Sequence, residues 1–325
     1  MPKVLITGGT GFVGRHSTRL LCDLGHEVHV VSRTAVSPIR SATFHCCDLL
    51  QADQRRTLME KVRPTHLLHL AWSTEPRRFW TSAANLDWMA ASLDLMQSFK
   101  EYGGQRAVFA GTCAEYDWAY HTLSERDTPC NPATLYGKAK NGLHTVVAEA
   151  AEQWGLSLAW GRVFFLYGPG EKPGRLISDL VVHLLEGREF RCSEGRQLRD
   201  FMHVADVARA LVELLLSEFR GPVNIASGEA IAVRDVILTA ADMVGRRDLI
   251  RFGATPEAVN DQPCLAATVS ILRGEVGFKP SYTLQSGLRN TVDWWRAQLA
   301  EQSAAALEAK TTHTWPAPTW HAGVD

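Results

Sequence analysis

A tyrosine and a lysine four residues apart are the side chains of this sequence best suited to proton transfer. Tyr136 and Lys140 stand in the run Tyr-Gly-Lys-Ala-Lys, and residues at this spacing share one face of a helix. The ammonium would then lower the pKa of the phenol from its reference value of about 10, so that Tyr136 acts as acid or base near neutral pH. Taken alone, the spacing is also typical of a surface pair.

A glycine-rich run near the N-terminus is the second feature that could bind a reactant. Gly8, Gly11 and Gly14 follow an apolar run directly and open a helical segment. Gly8 and Gly11 allow a tight turn and a close approach to a pyrophosphate at the helix N-terminus, and Gly14 allows the helix to pack on a sheet. The run therefore predicts a dinucleotide site.

The end of the second apolar run bears on which dinucleotide fits. A carboxylate there usually binds the ribose 2′-hydroxyl of NAD, whereas this chain has Ser32 followed by Arg33. Together with Arg15, which follows the last glycine, these side chains suit a 2′-phosphate. The sequence thus favours NADP, used as NADPH. NAD is the alternative, and two solvated surface arginines are the plain structural explanation.

The elements that must position these residues form a regular series. Short β-branched runs lie at 3–7, 27–32, 65–71, 106–111 and 156–163, with helical patterns near 12–24, 53–62, 79–101 and 134–154. This alternation predicts an α/β fold with a doubly wound parallel sheet. After about position 168 a mixture of helices and short strands, including one at 222–226, predicts a smaller C-terminal α+β lobe.

The length of the chain supports more than one unit. Its 325 residues exceed the comfortable size of a single core. We expect a dinucleotide-binding domain over 1–167, a mainly substrate-binding lobe over 168–301 and a tail over 302–325. The tail has no clear periodicity, which leaves disorder and packing on a partner both open.

Charge and cysteine content restrict the class of protein. With 34 basic and 35 acidic residues, the formal charge of -1 provides no field for nucleic acid. The seven cysteines lack CxxC spacing, so we expect reduced thiols, no metal site and a cytoplasmic location. No stretch approaches the roughly 18 apolar residues of a membrane span. Neither nucleic acid nor a membrane is therefore an expected partner.

Four motifs in order resemble the extended short-chain dehydrogenase/reductase family, which includes NAD(P)-dependent sugar-nucleotide epimerases, dehydratases and reductases. The motifs are the run from Gly8 to Gly14, His69-Leu70-Ala71, the run from Tyr136 to Lys140 and the run from Arg199 to Ala208. The resemblance covers roughly residues 3–297. It implies a Rossmann-type fold, a nucleoside-diphosphate sugar as substrate, and Tyr136 and Lys140 as the catalytic pair.

The resemblance also assigns roles outside these motifs. Thr112 matches the family's Ser or Thr that holds the substrate oxygen against Tyr136, Asp48 matches the adenine contact, and Asn85 matches an asparagine of the dimer-forming helix. The expected cofactor contacts are Gly8, Gly11, Phe12, Val13, Gly14, Arg15, Ser32, Arg33, Asp48, Leu49, Leu70, Ala71, Tyr136 and Lys140.

The expected substrate contacts include two departures from the family pattern. They are Thr112, Cys113, Phe165 and Arg199. Arg199 matches the arginine that holds the diphosphate, but Phe165 stands where an asparagine usually contacts the substrate. The segment 257–264 contains no arginine to match the family's second diphosphate ligand. Both departures affect the expected pose of the substrate.

The residues after Thr112 bear on the reaction. The family's 4,6-dehydratases carry Asp-Glu there, whereas this chain has Cys113 and Ala114, with Glu115 displaced by one position. This disfavours dehydration. The residues expected at a 2′-phosphate favour NADPH-dependent reduction of a 4-keto sugar nucleotide, with an NAD-dependent 4-epimerase as the alternative. A non-catalytic NADP sensor is disfavoured, because such proteins have lost the Tyr and Lys pair.

Two helical segments carry more apolar residues than a sheet requires. These are Trp88, Met89, Leu93 and Met96 in the segment 79–101, and Leu143, Val146, Val147 and Ala150 in the segment 134–154. They predict a homodimer held by a four-helix bundle, to which each subunit contributes these two helices.

Overall fold

The computed structural model describes residues 1–33, 39, 41–76, 78–257 and 261–311. The strands of the described chain are β1 (Lys3–Thr7), β2 (Glu27–Ser32), β3 (Thr43–Cys46), β4 (His66–His69), β5 (Arg106–Thr112), β6 (Thr122–Leu123), β7 (Ser157–Val163), β8 (Phe165–Tyr167), β9 (Phe190–Arg191), β10 (Leu198–His203), β11 (Gly221–Ile225), β12 (Ala230–Ala232), β13 (Ile250–Arg251) and β14 (Cys264–Ala267). The helices are α1 (Phe12–Asp23), α2 (Ala52–Val62), α3 (Ala84–Glu101), α4 (Leu135–Gln153), α5 (Leu176–Leu185), α6 (Val204–Leu216), α7 (Val233–Val244), α8 (Ser270–Gly274) and α9 (Leu284–Thr311).

A seven-stranded parallel sheet forms the first lobe, in the order β3-β2-β1-β4-β5-β7-β11. Its central strands bury apolar residues at successive positions, such as Val4, Leu5 and Ile6 in β1, because helices cover both faces. In β1, Val4 and Ile6 pack on the cluster that contains α1 and α6, whereas Leu5 packs on the cluster that contains α2, α3 and α4. The predicted α/β fold of Rossmann type is confirmed.

Residues 204–225 return to the first lobe, which differs from the sequence-based boundary. The strand expected at 222–226 in the smaller lobe is β11, which pairs in parallel with β7 at the edge of the large sheet. Before it, α6 buries Val207, Leu211 and Leu214 against the same core as β1. The apolar face of α6 can be buried there only if the chain crosses back over the sheet.

The second lobe is a small mixed sheet with helices on it. β10 lies in its centre between β12 and β14, and also pairs with β8. Its core joins α5, α7 and α9 through side chains such as Leu180, Ile237 and Leu288. Among the described residues, no helix combines the length and the apolar character needed to cross a bilayer.

Two helix boundaries differ from the sequence-based expectation. α9 continues to Thr311, so residues 302–311 of the expected tail are helical; they consist largely of good helix formers. Residues 312–325 of that tail lie outside the described residues. α3 begins at Ala84 instead of position 79, because the Asn85 side-chain amide binds the carbonyl oxygens of Phe79 and Ser82.

Candidate active site

The glycine loop after β1 leaves its backbone open to a ligand. Gly8 has a φ of +69°, and a Cβ there would lie 2.8 Å from the backbone nitrogen of Ala71. A Cβ on Gly14 would lie 2.0 Å from the Gly8 carbonyl oxygen. Since α1 begins at Phe12, directly after Gly11, its free N–H groups point toward this loop. The loop therefore fits the pyrophosphate of a dinucleotide.

The residues expected at the adenosine end lie together at two adjacent strand ends. Ser32 ends β2 and precedes Arg33, while Asp48 and Leu49 follow β3. Ser32 and Leu49 are buried, Asp48 is partly buried and Arg33 is exposed. The Asp48 carboxylate accepts a hydrogen bond from the backbone N–H of Leu50 at 3.0 Å. It therefore closes the turn at this edge of the sheet.

Arg15 departs from the arrangement expected from the sequence. Its guanidinium donates to the carbonyl oxygens of Gly170 at 3.1 Å and Gly11 at 3.3 Å. Gly170 lies in the loop that leads from β8 into α5, so Arg15 ties α1 to the second lobe. These bonds engage the Arg15 guanidinium away from Ser32 and Arg33, and its predicted contact with a cofactor phosphate stays a prediction.

Leu70 and Ala71, which follow β4, form a wall beside the glycine loop. Their backbone N–H groups both donate to the Thr7 hydroxyl at 3.2 Å. Thr7 is also hydrogen-bonded to Nδ1 of His69 at 2.7 Å. Burial lowers the pKa of His69 to about 3, so this imidazole is neutral. The network fixes the ends of β1 and β4 against each other.

Thr112 and Tyr136 meet at the carboxyl end of β5. Thr112 is the last residue of β5, Tyr136 lies in the first turn of α4, and the Thr112 hydroxyl interacts with the Tyr136 phenol. Burial raises the pKa of Tyr136 above its usual range, while the Thr112 hydroxyl and the charge of Arg175 act in the opposite direction. The expectation of a lowered pKa is wrong for this state, because desolvation outweighs the favourable neighbours.

Lys140 is buried on the same helix as Tyr136, one turn further along. Its Nζ donates to the carbonyl oxygen of Ala110 at 2.8 Å and lies 3.9 Å from the centroid of a Trp72 ring. Burial lowers the pKa of Lys140 to about 7, and the Glu115 carboxylate opposes this shift. The ammonium therefore gains or loses its proton near neutral pH.

Glu115 is held away from any role as a second acid or base. Its carboxylate accepts hydrogen bonds from Nε of Arg162 at 2.8 Å, the Trp160 indole at 3.0 Å and the backbone N–H of Thr112 at 2.8 Å. Burial, with the Glu115 charge nearby, raises the pKa of Cys113 to about 12. The residues after Thr112 therefore contribute no free carboxylate or thiolate to the site.

Three aromatic side chains from the segment before α3, Trp72, Phe79 and Trp80, pack around Tyr136; we call them the aromatic cover. Their ring centroids lie 6.5, 4.9 and 5.8 Å from that of Tyr136, each nearly perpendicular to it. Arg175 of the second lobe lies over the Phe79 ring at 5.2 Å. The cover therefore shields the phenol from water at the point where the two lobes meet.

A cavity of about 610 Å³ in the second lobe contains the expected substrate residues Phe165 and Arg199 together with Arg175. Arg199 is buried and forms an ion pair with Asp261, and its guanidinium also lies 5.5 Å from the Phe165 ring centroid. Asp261 belongs to the segment that lacks the family's second arginine. Here that segment neutralises Arg199 instead of adding positive charge, whereas Arg175 reaches from the cavity to the aromatic cover.

The site contains side chains that the sequence analysis missed. The aromatic cover, Trp160 and Arg162 all lie within it, yet none belongs to a motif with recognisable spacing. One signal in the sequence was available for Trp72, because it directly follows Ala71 of a predicted cofactor motif. For the others the informative contacts arise only when distant segments fold together.

The fold, the glycine loop and the cluster of Thr112, Tyr136 and Lys140 are the features expected of a nicotinamide-dependent enzyme. The sequence model of the NAD dependent epimerase/dehydratase family matches residues 4–226, and the chain belongs to this family. The resemblance to the extended short-chain dehydrogenase/reductases is thereby confirmed. The protein is an enzyme of a family that acts on nucleotide sugars.

Individual relatives cover most of the chain. It is 26% identical over 314 residues to UDP-glucuronic acid decarboxylase 1 of Xenopus tropicalis, covering 93% of this chain and 74% of that protein. The UDP-glucose 4-epimerase of Thermus thermophilus in complex with NAD is 25% identical, with a TM-score of 0.81 and coverage of 90% and 98%. MoeE5 in complex with UDP-glucuronic acid and NAD is 29% identical, with a TM-score of 0.80 and coverage of 91% and 99%. Both solved structures hold NAD, so they lend no support to a preference for NADP.

Proposed function

We propose that the protein is an NAD-dependent 4-epimerase of a nucleoside-diphosphate sugar. The observation that carries this proposal is that Tyr136, beside Thr112 and one helical turn before Lys140, has no free carboxylate from the residues that follow Thr112: the Glu115 carboxylate is bonded to Arg162 and Trp160. Inversion at one carbon requires one group that removes a proton and returns it. Elimination of water across two carbons requires a further acid and base, and the described residues next to Thr112 contribute neither.

The redox-neutral reaction is favoured over the net reduction that the sequence analysis preferred. That preference depended on Arg15, Ser32 and Arg33 acting together on a 2′-phosphate, and the Arg15 guanidinium is bound to Gly170 and Gly11. Relatives that carry NAD support the same choice. NAD, when bound, takes up hydride from the sugar carbon and can return it.

The protein's own residues would handle the proton. Tyr136 removes the proton of the sugar 4-hydroxyl as that carbon is oxidised, and returns it to the oxygen when the carbon is reduced from the opposite face. Thr112, whose hydroxyl interacts with the phenol, orients the sugar oxygen toward it. Charged Lys140 favours the phenolate, and the aromatic cover keeps water away from the ketone.

The reaction can be tested by incubating the purified protein, without added cofactor, with UDP-glucose, UDP-galactose, UDP-N-acetylglucosamine and UDP-glucuronic acid, followed by proton NMR of the products. We expect inversion at C4 of at least one substrate, in both directions. Release of carbon dioxide from UDP-glucuronic acid would instead identify a decarboxylase. Turnover only of a 4-keto sugar with added NADPH would restore the reductase reading and overturn the proposal.

Cofactor preference provides a separate prediction. We expect NAD to bind more tightly than NADP, and Arg33→Ala to change either affinity by less than about twofold, since Arg33 is exposed and interactions between exposed charges contribute little. If Arg33 held a 2′-phosphate, its loss would weaken NADP binding by about 1.5–3 kcal/mol. Isothermal titration of both cofactors against both proteins distinguishes the two cases.

The homodimer stays a proposal, and fewer of the apolar residues of α3 and α4 are exposed for it than the sequence suggested. Met96, Leu143 and Val147 are buried within the subunit, so they are not available for a partner. Leu86 on α3 and Val146 on α4 are 55% and 49% exposed. We infer that these side chains belong to a four-helix interface between two copies of the chain.

Sedimentation at micromolar concentration tests the interface. The wild type is expected to be a dimer and Leu86→Arg a monomer, because an arginine would be placed opposite its own copy in a two-fold interface. The exposed Leu24 of the α1 C-terminus offers the matched control, since Leu24→Arg lies outside α3 and α4. A monomeric wild type would contradict the proposal.

A further inference from the structure

Trp72 is the one member of the aromatic cover that contacts both partners of the catalytic pair. One of its rings lies 3.9 Å from Nζ of Lys140, and its ring centroid is 6.5 Å from that of Tyr136. Its indole Nε1 points the other way and donates to Oδ1 of Asn85 at 2.9 Å. Trp72 therefore links α3, on which Asn85 lies, to the ammonium on α4.

The Lys140 charge has few other partners. Lys140 is 4% exposed, and its Nζ donates to the Ala110 carbonyl oxygen. Within the described chain no carboxylate lies within 4.0 Å of it, and Glu115, which acts on it through space, is paired with Arg162. A carbonyl oxygen and the face of an indole are thus its immediate polar surroundings. The attraction between a cation and an aromatic face is strongest when both are removed from water.

The hydrogen bonds of the Asn85 side chain fix the direction of the Trp72 indole. It is 2% exposed, and its Nδ2 donates to the carbonyl oxygens of Phe79 at 2.7 Å and Ser82 at 2.8 Å. These two bonds orient the side-chain amide, so its oxygen is left to accept from Trp72. A buried asparagine with every group satisfied is rigid. The indole is therefore anchored at its Nε1 edge by Asn85, while its face lies against Lys140.

We propose that Trp72 is a positioning residue for Lys140, with Asn85 as its anchor, and that the indole face keeps the ammonium charged and directed toward the Tyr136 side of the site. The inference rests on the proposed function in one respect, that turnover requires charged Lys140. A purely structural alternative exists, in which Trp72 and Asn85 only attach the segment before α3 to that helix. The two readings differ in what happens to the titration of Lys140.

The direction of the effect follows from the charged state. Lys140 is charged below its pKa, which burial has lowered to about 7, so activity that needs the ammonium is lost as the pH rises through that value. Removing the indole takes away a group that favours the charge and moves this loss to lower pH. The other titratable groups that interact with Lys140 are Glu115 and the neutral His69, and the substitution changes neither of them.

The test compares Trp72→Leu, Trp72→Phe and, as a matched control, Trp80→Leu. Trp80 packs on Tyr136 in the same cover, and its ring contacts are with Phe79, Trp118 and Tyr136. The pH dependence of kcat/KM is measured for each variant. In addition, the pH dependence of NAD affinity is measured by calorimetry, because Lys140 is an expected cofactor contact. Thermal unfolding shows which variants are folded.

In Trp72→Leu we expect the alkaline limb of both profiles to move to lower pH by about half to one unit, given the usual strength of such contacts. Trp72→Phe keeps an aromatic face, so its alkaline limb should shift less, in the same direction. If Trp72→Leu does not fold, the shift of Trp72→Phe alone tests the proposal. Trp80→Leu should lower the rate without moving the limb.

Unmoved limbs in both Trp72 variants, with a uniform loss of rate or stability, would overturn the proposal and leave a structural role. Calorimetry separates this outcome from failure of the proposed function. A shifted affinity profile in a protein that epimerises none of the sugars would retain the positioning role and reject the epimerase.

Discussion

Tyr136→Phe is expected to lower kcat by at least about 10²-fold while leaving the affinity for NAD nearly unchanged. A positioned general acid or base contributes about 10²–10⁴-fold, and the phenol oxygen is the group that would exchange the proton. The ring itself is retained, so its packing against Phe79 and Trp80 and the fold around it should persist. Steady-state rates with the responsive sugar, together with calorimetry of NAD binding, measure the two effects separately.

Tyr120→Phe provides the matched control for this loss. Tyr120 is 46% exposed and lies in the loop after β5, outside the aromatic cover. Removing its hydroxyl should leave kcat within about twofold of the wild type, as is usual for surface changes away from a site. If Tyr136→Phe kept more than about a tenth of kcat, Tyr136 would not be the general acid or base.

The parts of the site that the sequence predicted are those set by local spacing. The glycine loop follows β1 and opens α1, and Tyr136 and Lys140 share one face of α4; both arrangements depend on residues a few positions apart. Thr112 falls beside them because parallel strands all end at the same edge of the sheet. Apolar runs of five to eight residues predicted β1, β2, β4, β5 and β7, because such runs are also a local feature of the sequence.

The contacts that the sequence did not predict join distant segments. Arg15 was expected beside Ser32, seventeen positions along the chain, but its guanidinium meets Gly170 of the other lobe. Arg199 was expected to hold a diphosphate, which stays a prediction, and the sequence did not indicate that Asp261 pairs with it. A side chain as long as arginine has several partners within reach, and which one it meets depends on loops whose course the local sequence does not set.

The aromatic cover illustrates an error in a helix boundary. A helical pattern was assigned from position 79, but the helix starts at Ala84 because Asn85 binds the carbonyl oxygens ahead of it. The spacing of apolar residues does not show that the Asn85 side chain binds these carbonyl oxygens, because asparagine is a polar residue and does not contribute to that spacing. The same displacement places Phe79 and Trp80 on Tyr136, so the missed boundary and the missed cover share one cause.

Glu115→Gln should be the most destabilising conservative substitution in the site. Glu115 is fully buried, its partner Arg162 is 3% exposed, and Nε of Arg162 lies 2.8 Å from the carboxylate. Removing one member of a buried ion pair costs about 3–5 kcal/mol, because the remaining charge is left without compensation. The Trp160 indole and the Thr112 N–H also lose part of their acceptor.

Urea unfolding of Glu115→Gln, Arg162→Met and the double variant tests this expectation. Each single variant leaves one buried charge without its partner, whereas the double variant removes both charges. The double variant should therefore lose less unfolding free energy than the sum of the two single losses. Asp293→Asn breaks an exposed pair with Arg296 on α9 and should change stability by no more than about 0.5 kcal/mol. Strictly additive losses at Glu115 and Arg162 would mean that the two charges do not depend on each other. In that case the Arg162 charge would not be what holds the Glu115 carboxylate, and Glu115 could act as the further acid or base that a dehydratase requires.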